Sequence, residues 1–223
     1  MVDFSNGKIA VTQSIARALR SGRPVMDQWF DGVFPGHIQA LSDIHWTPVR
    51  VARRAAQLLV ASHKSRILDV GSGCGKFCIV GAITTPGQFI GVEQRPCLVD
   101  VAQGAARSFQ AGRATFIQGD MSDLDWDFFD SFYLFNPFYE NRAPTIRIDQ
   151  EVVLSEERFA SYVSLVQGKL KLLRPGTRVV TYHGFGGDFP VGYRCLLRER
   201  AGSDTLNLWV KRRPPAKRSA VPS

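Results

Sequence analysis

The sequence has no run of about 18 consecutive apolar residues, which leaves no segment to expect as a membrane-spanning helix. Its opening, MVDFSNGKIA, has no basic stretch followed by an apolar one, so no secretory leader is expected. Cysteine is scarce. The four present, Cys74, Cys78, Cys97 and Cys195, include no CxxC pair and have no histidine cluster beside them, which argues against structural zinc, any other metal centre and a disulfide framework. Free thiols suit a reducing cytoplasm, and a cytoplasmic location is the expectation. No internal repeat is visible. No acid follows Asp204, and five of the basic residues, Lys211, Arg212, Arg213, Lys217 and Arg218, lie beyond it. Taking those five from the net charge of +8 leaves +3 on the rest, so the basicity belongs largely to a tail and does not by itself imply nucleic-acid binding.

What remains is ordinary globular composition, 44% hydrophobic and 22% charged, with enough length for one well-buried domain. In residues 1–46, VTQSIARALR fits a short amphipathic helix, and SGRP and DGVFPG carry loop chemistry. This part is expected to be an N-terminal extension and lid. From Thr47 the pattern sharpens. Thr47 is placed to cap a helix with Pro48 in its first turn; Val51, Ala55 and Leu58 recur at helical spacing, and the helix is expected to end near His63. Strands and helices then alternate. RILDV (66–70), QFIGVE (88–93), ATFIQGD (114–120), SFYLFN (131–136) and RVVTY (178–182) read as strands. Segments 76–83 and 96–109 read as helices, as does a third that Ser155 caps and that carries Phe159, Tyr162, Val163, Val166 and Leu170. YRCLLRER and TLNLWVKR form a closing hairpin. The fold class expected is α/β: a doubly wound, mostly parallel, seven-stranded sheet of Rossmann-like type, with one antiparallel strand from the hairpin. The domain is expected over 47–213, with a disordered basic tail at 214–223 that recruits an acidic partner.

The chemistry concentrates at strand ends. Asp69-Val70-Gly71-Ser72-Gly73-Cys74-Gly75-Lys76 follows an apolar strand and opens a helix, where glycines let the backbone approach a ligand and free N–H groups await one. Dinucleotide sites prefer GxGxxG beneath a pyrophosphate. Here the spacing is GxGxG with Asp69 before the turn, an acid that repels pyrophosphate and suits a cationic amino group such as that of S-adenosylmethionine (SAM). Glu93 ends the next strand, where a carboxylate accepts ribose hydroxyls in either kind of site. Asp120, in Gly119-Asp120-Met121, ends the third, placed for an adenine amino group with Met121 on the ring. A lone GxG is ordinarily a structural turn, and a lone acid at a strand end is ordinarily solvated. Three acids and a glycine turn at successive strand ends together define a nucleoside site.

These motifs resemble the class I (Rossmann-like) SAM-dependent methyltransferases from residue 66 to about 210: LDVGSGCG is similar to their first motif, GVE to the second and QGDM to the third. The resemblance implies SAM as cofactor, held by Thr47, Asp69, Gly71, Gly73, Gly75, Glu93, Asp120, Met121 and Asn136. A weaker resemblance is to the non-SET histone-lysine methyltransferases, the telomeric-silencing disruptor family. These share a GSG-x-GK/Q opening, a GVE strand end, a GD pair and a threonine ahead of the first motif, where His45-Trp46-Thr47 stands here. Their paired asparagines before phenylalanine appear here as Asn136-Pro137.

Asn136-Pro137-Phe138-Tyr139 resembles the (N/D/S)PP(Y/F) motif of enzymes that methylate amino groups on planar systems, with Phe138 where the second proline would stand. It makes Asn136, Phe138 and Tyr139 the catalytic candidates, although an Asn-Pro pair is also an ordinary strand-ending turn. His45-Trp46 is read as a lid over the methionine end of SAM, His183 as a secondary candidate base, and Tyr133 and Phe135 as core. The activity expected is methylation of a nitrogen in a protein side chain, an RNA base or a small amine. The alternatives are a nicotinamide-dependent oxidoreductase and a non-catalytic RNA- or partner-binding module on the same fold.

Overall fold

Helix α1 (Phe4–Arg20) opens the computed structural model, which describes residues 4–142 and 146–213. Three short helices follow: α2 (Asp27–Asp31), α3 (Gly36–Gln39) and α4 (Ser42–His45). Then come α5 (Val49–Leu59), β1 (Arg66–Val70), α6 (Lys76–Thr84), β2 (Gln88–Glu93), α7 (Pro96–Phe109), β3 (Ala114–Gln118), β4 (Ser131–Phe135), α8 (Glu156–Leu172), β5 (Arg178–Tyr182), β6 (Tyr193–Ala201) and β7 (Asp204–Lys211). The strands form one sheet in the order β3-β2-β1-β4-β5-β7-β6. All neighbours from β3 to β5 pair in parallel, and β7 runs antiparallel to both β5 and β6. The doubly wound sheet with one reversed strand is thus the architecture that the alternating pattern implied. The basic tail at 214–223 lies outside the described residues. Among those residues, no helix is long and apolar enough to cross a membrane.

Strand side chains alternate between two cores, as the period of two requires. Ile67, Phe89, Tyr133, Val180 and Tyr182 face the core shared with α1, α5, α6 and α7. Leu68, Val92, Phe132, Leu134 and Val179 face the one shared with α8, where Val166 and Leu170 are fully buried. Helix α6 is apolar around almost its whole circumference, and Lys76 through Ile83 are all buried between the sheet and the helices above it. Phe77 of this helix stacks on Tyr133 at 3.9 Å between ring centroids.

The first 46 residues contribute to this same core. Phe30 stacks on Phe109 of α7 at 4.5 Å, and Ile15, Ala16, Leu19, Phe34, Ile38 and Trp46 are buried with it. One ion cluster ties them down. Lys76, 2% exposed, places Nζ 2.7 Å from Asp27 Oδ1 and 2.8 Å from Asp31 Oδ1, and Ser42 Oγ donates to Asp31 Oδ2. Asp31 is itself 5% exposed at its side chain.

The structure corrects two local expectations. Thr47 does not cap α5. Pro48 occupies the N-cap, and the free Val49 N–H is satisfied from a distance by Asp27 Oδ1 at 2.7 Å. The Thr47 hydroxyl instead meets the Tyr133 hydroxyl at 3.1 Å in the core. Helix α5 also stops at Leu59, four residues before His63, because Val60 turns extended.

Removing one partner of a buried ion pair strands the other without water. Lys76→Ala is expected to lower unfolding stability by about 3–5 kcal/mol in a urea titration. Replacing Lys76 with Met and Asp31 with Leu together is expected to recover most of that loss, because no buried charge is then left alone.

Candidate active site

The carboxyl ends of β1 and β4, where the chain winds in opposite directions across the sheet, open into a cavity of about 650 Å³. Its floor is the glycine turn. Gly71, Gly73 and Gly75 all have positive φ (+72°, +53° and +78°), a region costly for other residues. All three are also pressed by neighbours, two of them at the cavity. A Cβ on Gly73 would lie 2.4 Å from Cζ3 of Trp46, and one on Gly71 would lie 3.2 Å from Cβ of Pro137. Trp46 is held in turn by its indole N–H, which donates to the Ile38 carbonyl at 2.8 Å. The segment before α5 therefore rests directly on the turn, and Trp46, His45 and Ile44 form one wall of the cavity.

Glu93 lies beneath the opening. It is 7% exposed; Oε2 accepts the Gly73 N–H at 3.1 Å and Oε1 the Arg95 N–H at 3.0 Å. Burial pushes its carboxyl above the ordinary value, against the opposing effect of those N–H groups and the Arg95 charge. Arg95 is a residue that sequence reasoning missed. Its guanidinium lies 3.8 Å from Glu93 at the end of β2, and 2.9 Å from both Glu140 and Asp149 in the segment between β4 and α8. It ties the segment after β4 to the glycine turn through Glu93. Cys97, Asp149 and Glu151 also come within 4.8 Å of one another, with Asp149 already paired to Arg95.

Asn136 follows the last residue of β4 with φ +42°, a left-handed conformation that Asn tolerates better than most residues. Its N–H donates to the Gly184 carbonyl at 2.9 Å, which joins the ends of β4 and β5. Its side chain faces the cavity and, among the described residues, has no hydrogen-bond partner. Tyr139 lines the same cavity and is 46% exposed. Phe138 turns the other way, buried and stacked on Tyr162 at 5.1 Å. With Met121 and Gly119 it borders a second, small cavity of about 60 Å³. Phe135, read as core from the strand pattern, is half-buried and lines the main cavity.

Four candidates lie off these walls. Asp69 is buried behind the turn and takes the Cys78 thiol at 3.5 Å; burial pushes its carboxyl up to about 7. Gly75 packs inward, where a Cβ would strike Phe116 at 2.5 Å. Thr47 is held by Tyr133. Asp120 has both oxygens engaged, one by the Ser122 N–H at 2.8 Å and the other by the Tyr162 hydroxyl. Burial would raise its pKa, but these bonds outweigh that effect and hold the carboxyl below its ordinary value. His45 Nε2 meets the Ile146 carbonyl at 2.8 Å, and burial holds its ring below the usual histidine range.

The comparisons agree with this geometry. A family model described as "Methyltransferase domain" matches residues 61–181, more than half of the chain, and the chain belongs to that family. It is a SAM-dependent methyltransferase with a class I, Rossmann-like fold, and the oxidoreductase alternative is not retained. Its fold is similar to an RNA methyltransferase from Salinibacter ruber in complex with S-adenosyl-L-homocysteine (SAH), with 23% identity over 77% of this chain and 96% of that one and a TM-score of 0.55. It is also similar to TrmN from Thermus thermophilus (17%; 78% of this chain and 52% of that one; 0.56) and to an O-methyltransferase from Bacillus cereus in complex with SAH (13%; 92% and 100%; 0.55). Among curated proteins, none matches the sequence.

Glu93 supports the turn as well as facing the cavity. Glu93→Ala leaves the Gly73 and Arg95 N–H groups without an acceptor and is expected to cost about 1–3 kcal/mol of stability in a denaturant titration. Glu93→Gln is expected to cost less, since its carbonyl oxygen still accepts one of them.

Proposed function

We propose that the methyl acceptor is a nitrogen, aligned by Asn136 at the sulfonium methyl of SAM. One observation carries this reading: the Asn136 amide, unpartnered among the described residues, faces the cavity from a left-handed turn packed against the glycine turn. Methyl transfer is an in-line displacement, in which the protein mainly aligns the nucleophile and excludes water. An amide oxygen in this position accepts a hydrogen bond from the incoming nitrogen and points its lone pair at the methyl group. Pro137 cannot extend the strand, so the chain must turn at this edge. Tyr139, exposed on the same wall, offers the acceptor a flat surface, and Phe138 packs toward the adenine end.

In this reading Gly71, Gly73 and Gly75 shape the bed for SAM, and Glu93 takes the ribose hydroxyls with its remaining lone pairs. Asp69 attracts the amino group, and Met121 packs on the adenine ring. Asp120 reaches the adenine amino group once Tyr162 yields. Thr47 acts through the wall of the methionine end. The enzyme works in the cytoplasm, where its four free cysteines stay reduced. Its basic tail recruits an acidic partner without taking part in SAM binding.

Orientation that matters only in the aligned complex shows in turnover more than in affinity. Asn136→Ala is expected to bind SAH within a few-fold of wild type and to lose roughly a hundredfold in rate on an amine acceptor. A folded Asn136→Ala with wild-type rate would reduce this residue to a strand-ending turn.

Asp69 gives the reading a pH signature. Its folded pKa lies above the ordinary carboxylate value, so in the free protein its contribution to stability is greatest in acid and is lost as pH rises toward about 7. A cationic amino group beside it favours the ionised form, so binding releases a proton below that pH. Calorimetric SAH affinity is therefore expected to rise with pH to about 7 and then level off, and Asp69→Asn to bind more weakly with that dependence gone. A wild-type affinity independent of pH across this range would remove Asp69 from contact with the amino group.

A further inference from the structure

His183 follows the last residue of β5, beside the strand end that carries Asn136, and lines the same cavity. It has φ +58°, the second non-glycine residue in a left-handed conformation at this edge, and such backbone outliers concentrate at functional sites. Its ring is clamped on both sides. Nδ1 lies 2.9 Å from Asp204 Oδ2, and Nε2 lies 3.2 Å from Ser203 Oγ. Asp204 is fixed in turn, because its Oδ1 accepts the Thr205 N–H at 2.6 Å and the Thr205 hydroxyl at 3.0 Å. A carboxylate has no hydrogen to give, so Nδ1 carries the ring hydrogen and Nε2 presents its lone pair toward Ser203, which lines the cavity. The Tyr182 hydroxyl, 3.0 Å from Ser203 Oγ, completes the chain of polar groups.

We propose that His183, oriented by Asp204, is the general base of the reaction, and that the acceptor is a basic amine that arrives as an ammonium ion. The proposal rests on the nitrogen-acceptor reading and narrows it. The rings of Phe135 and Tyr182 lie 5.6 and 4.4 Å from the His183 ring and border the cavity, an aromatic wall that suits a cation entering toward the Asp204 carboxylate. The Ser203 hydroxyl gives its hydrogen to Nε2 as it takes one proton from R–NH3⁺, which leaves R–NH2 and an imidazolium that Asp204 stabilises. The freed lone pair attacks the methyl carbon of SAM. The C–N bond forms as the C–S bond breaks, the bonding pair stays on sulfur as SAH, the product is R–NH2⁺–CH3, and the imidazolium passes its proton to water. The charged groups around the dyad are Arg200, which acts on the Asp204 charge, and Arg50 of α5, whose Nη2 would lie 3.3 Å from a Cβ on Gly202. Asp27, Asp43, His45, Arg95, Glu140 and Arg142 line the other walls of the same cavity.

His183→Gly is the informative variant, because glycine accepts the left-handed backbone and leaves a space the size of imidazole. The full chain is assayed with labelled SAM and three probes: benzylamine, Nα-acetyl-lysine amide and adenosine, the last having no ammonium proton to lose. The wild-type enzyme is expected to methylate an amine probe. His183→Gly is expected to lose about a hundredfold in rate near neutral pH with SAH affinity unchanged, to recover with added imidazole, and to gain rate in alkali as the free-amine fraction rises. Asp204→Asn is expected to displace the acidic limb of the pH–rate profile to lower pH, which a merely structural contact would not do. Wild-type rate and pH profile in His183→Gly would overturn the base. Transfer to adenosine alone, or to none of the probes with SAH binding intact, would overturn the amine while leaving the methyltransferase standing. Loss of an amine-directed rate in Asn136→Ala but not in His183→Gly would separate the nitrogen reading from the base.

Discussion

The absence of a side chain at Gly73 is the constraint on which the site depends. The Trp46 ring lies where a Cβ would be, and the Gly73 N–H is held from below by Glu93. The turn is thus clamped between a wall contributed by the N-terminal residues and an acid contributed by β2. Gly71 extends the contact to Pro137 and so to the end of β4. Three segments far apart in sequence converge on five residues of backbone. Any β-carbon at position 73 would have to displace a buried indole whose only polar atom is already bonded to Ile38.

The second level of support is ionic. Lys76 begins the helix that leaves the turn, and its buried ammonium holds Asp27 and Asp31. Asp27 in turn satisfies the first free N–H of α5. A short helix of five residues has little stability alone. Here α2 is fixed from outside, by charge through Lys76 and by the stacking of Phe30 on Phe109. The wall that carries Trp46 is thus tied to α5, α6 and α7 by named contacts.

The parts of this arrangement that are local were legible in the sequence. From β1 to α7 strands and helices alternate, α6 as an apolar run between the glycine turn and Pro86-Gly87 and α7 with a clear helical period, so the pattern placed them to within a residue or two. Ser155 shows why: its hydroxyl accepts the Arg158 N–H within its own helix. Thr47 shows the converse. It has the chemistry of a cap, but a carboxylate from 22 residues earlier takes the N–H, and Tyr133 takes the hydroxyl. The short helices α2, α3 and α4 are too brief to show a period: Lys76 and Phe109 hold α2, Asp31 holds Ser42 of α4, and the Trp46 indole holds the Ile38 carbonyl of α3. Arg95 escaped notice for the same cause: its acids, Glu140 and Asp149, sit in a loop with no motif, and only the fold brings them together. The one available signal was a basic residue two places after the strand-ending acid.

Arg95 also determines how the two halves of the cavity are related. Glu93 faces the turn with one oxygen and Arg95 with the other, and Arg95 holds the acids of the segment that follows Asn136. On the proposed reading the ribose hydroxyls share those same oxygens, so a bound cofactor draws on the charge that keeps Arg95 in place. Two ligands whose sites share one ion cluster are thermodynamically linked, and each changes the affinity of the other by the same factor. The nearest route for that linkage runs from Glu93 through Arg95 to Glu140 and Asp149, in the loop that leads from Asn136 to α8. The segment after Asn136 is therefore joined to the cofactor floor in two ways: by charge, where Arg95 holds Glu140 and Asp149, and by packing, where Pro137 lies against Gly71.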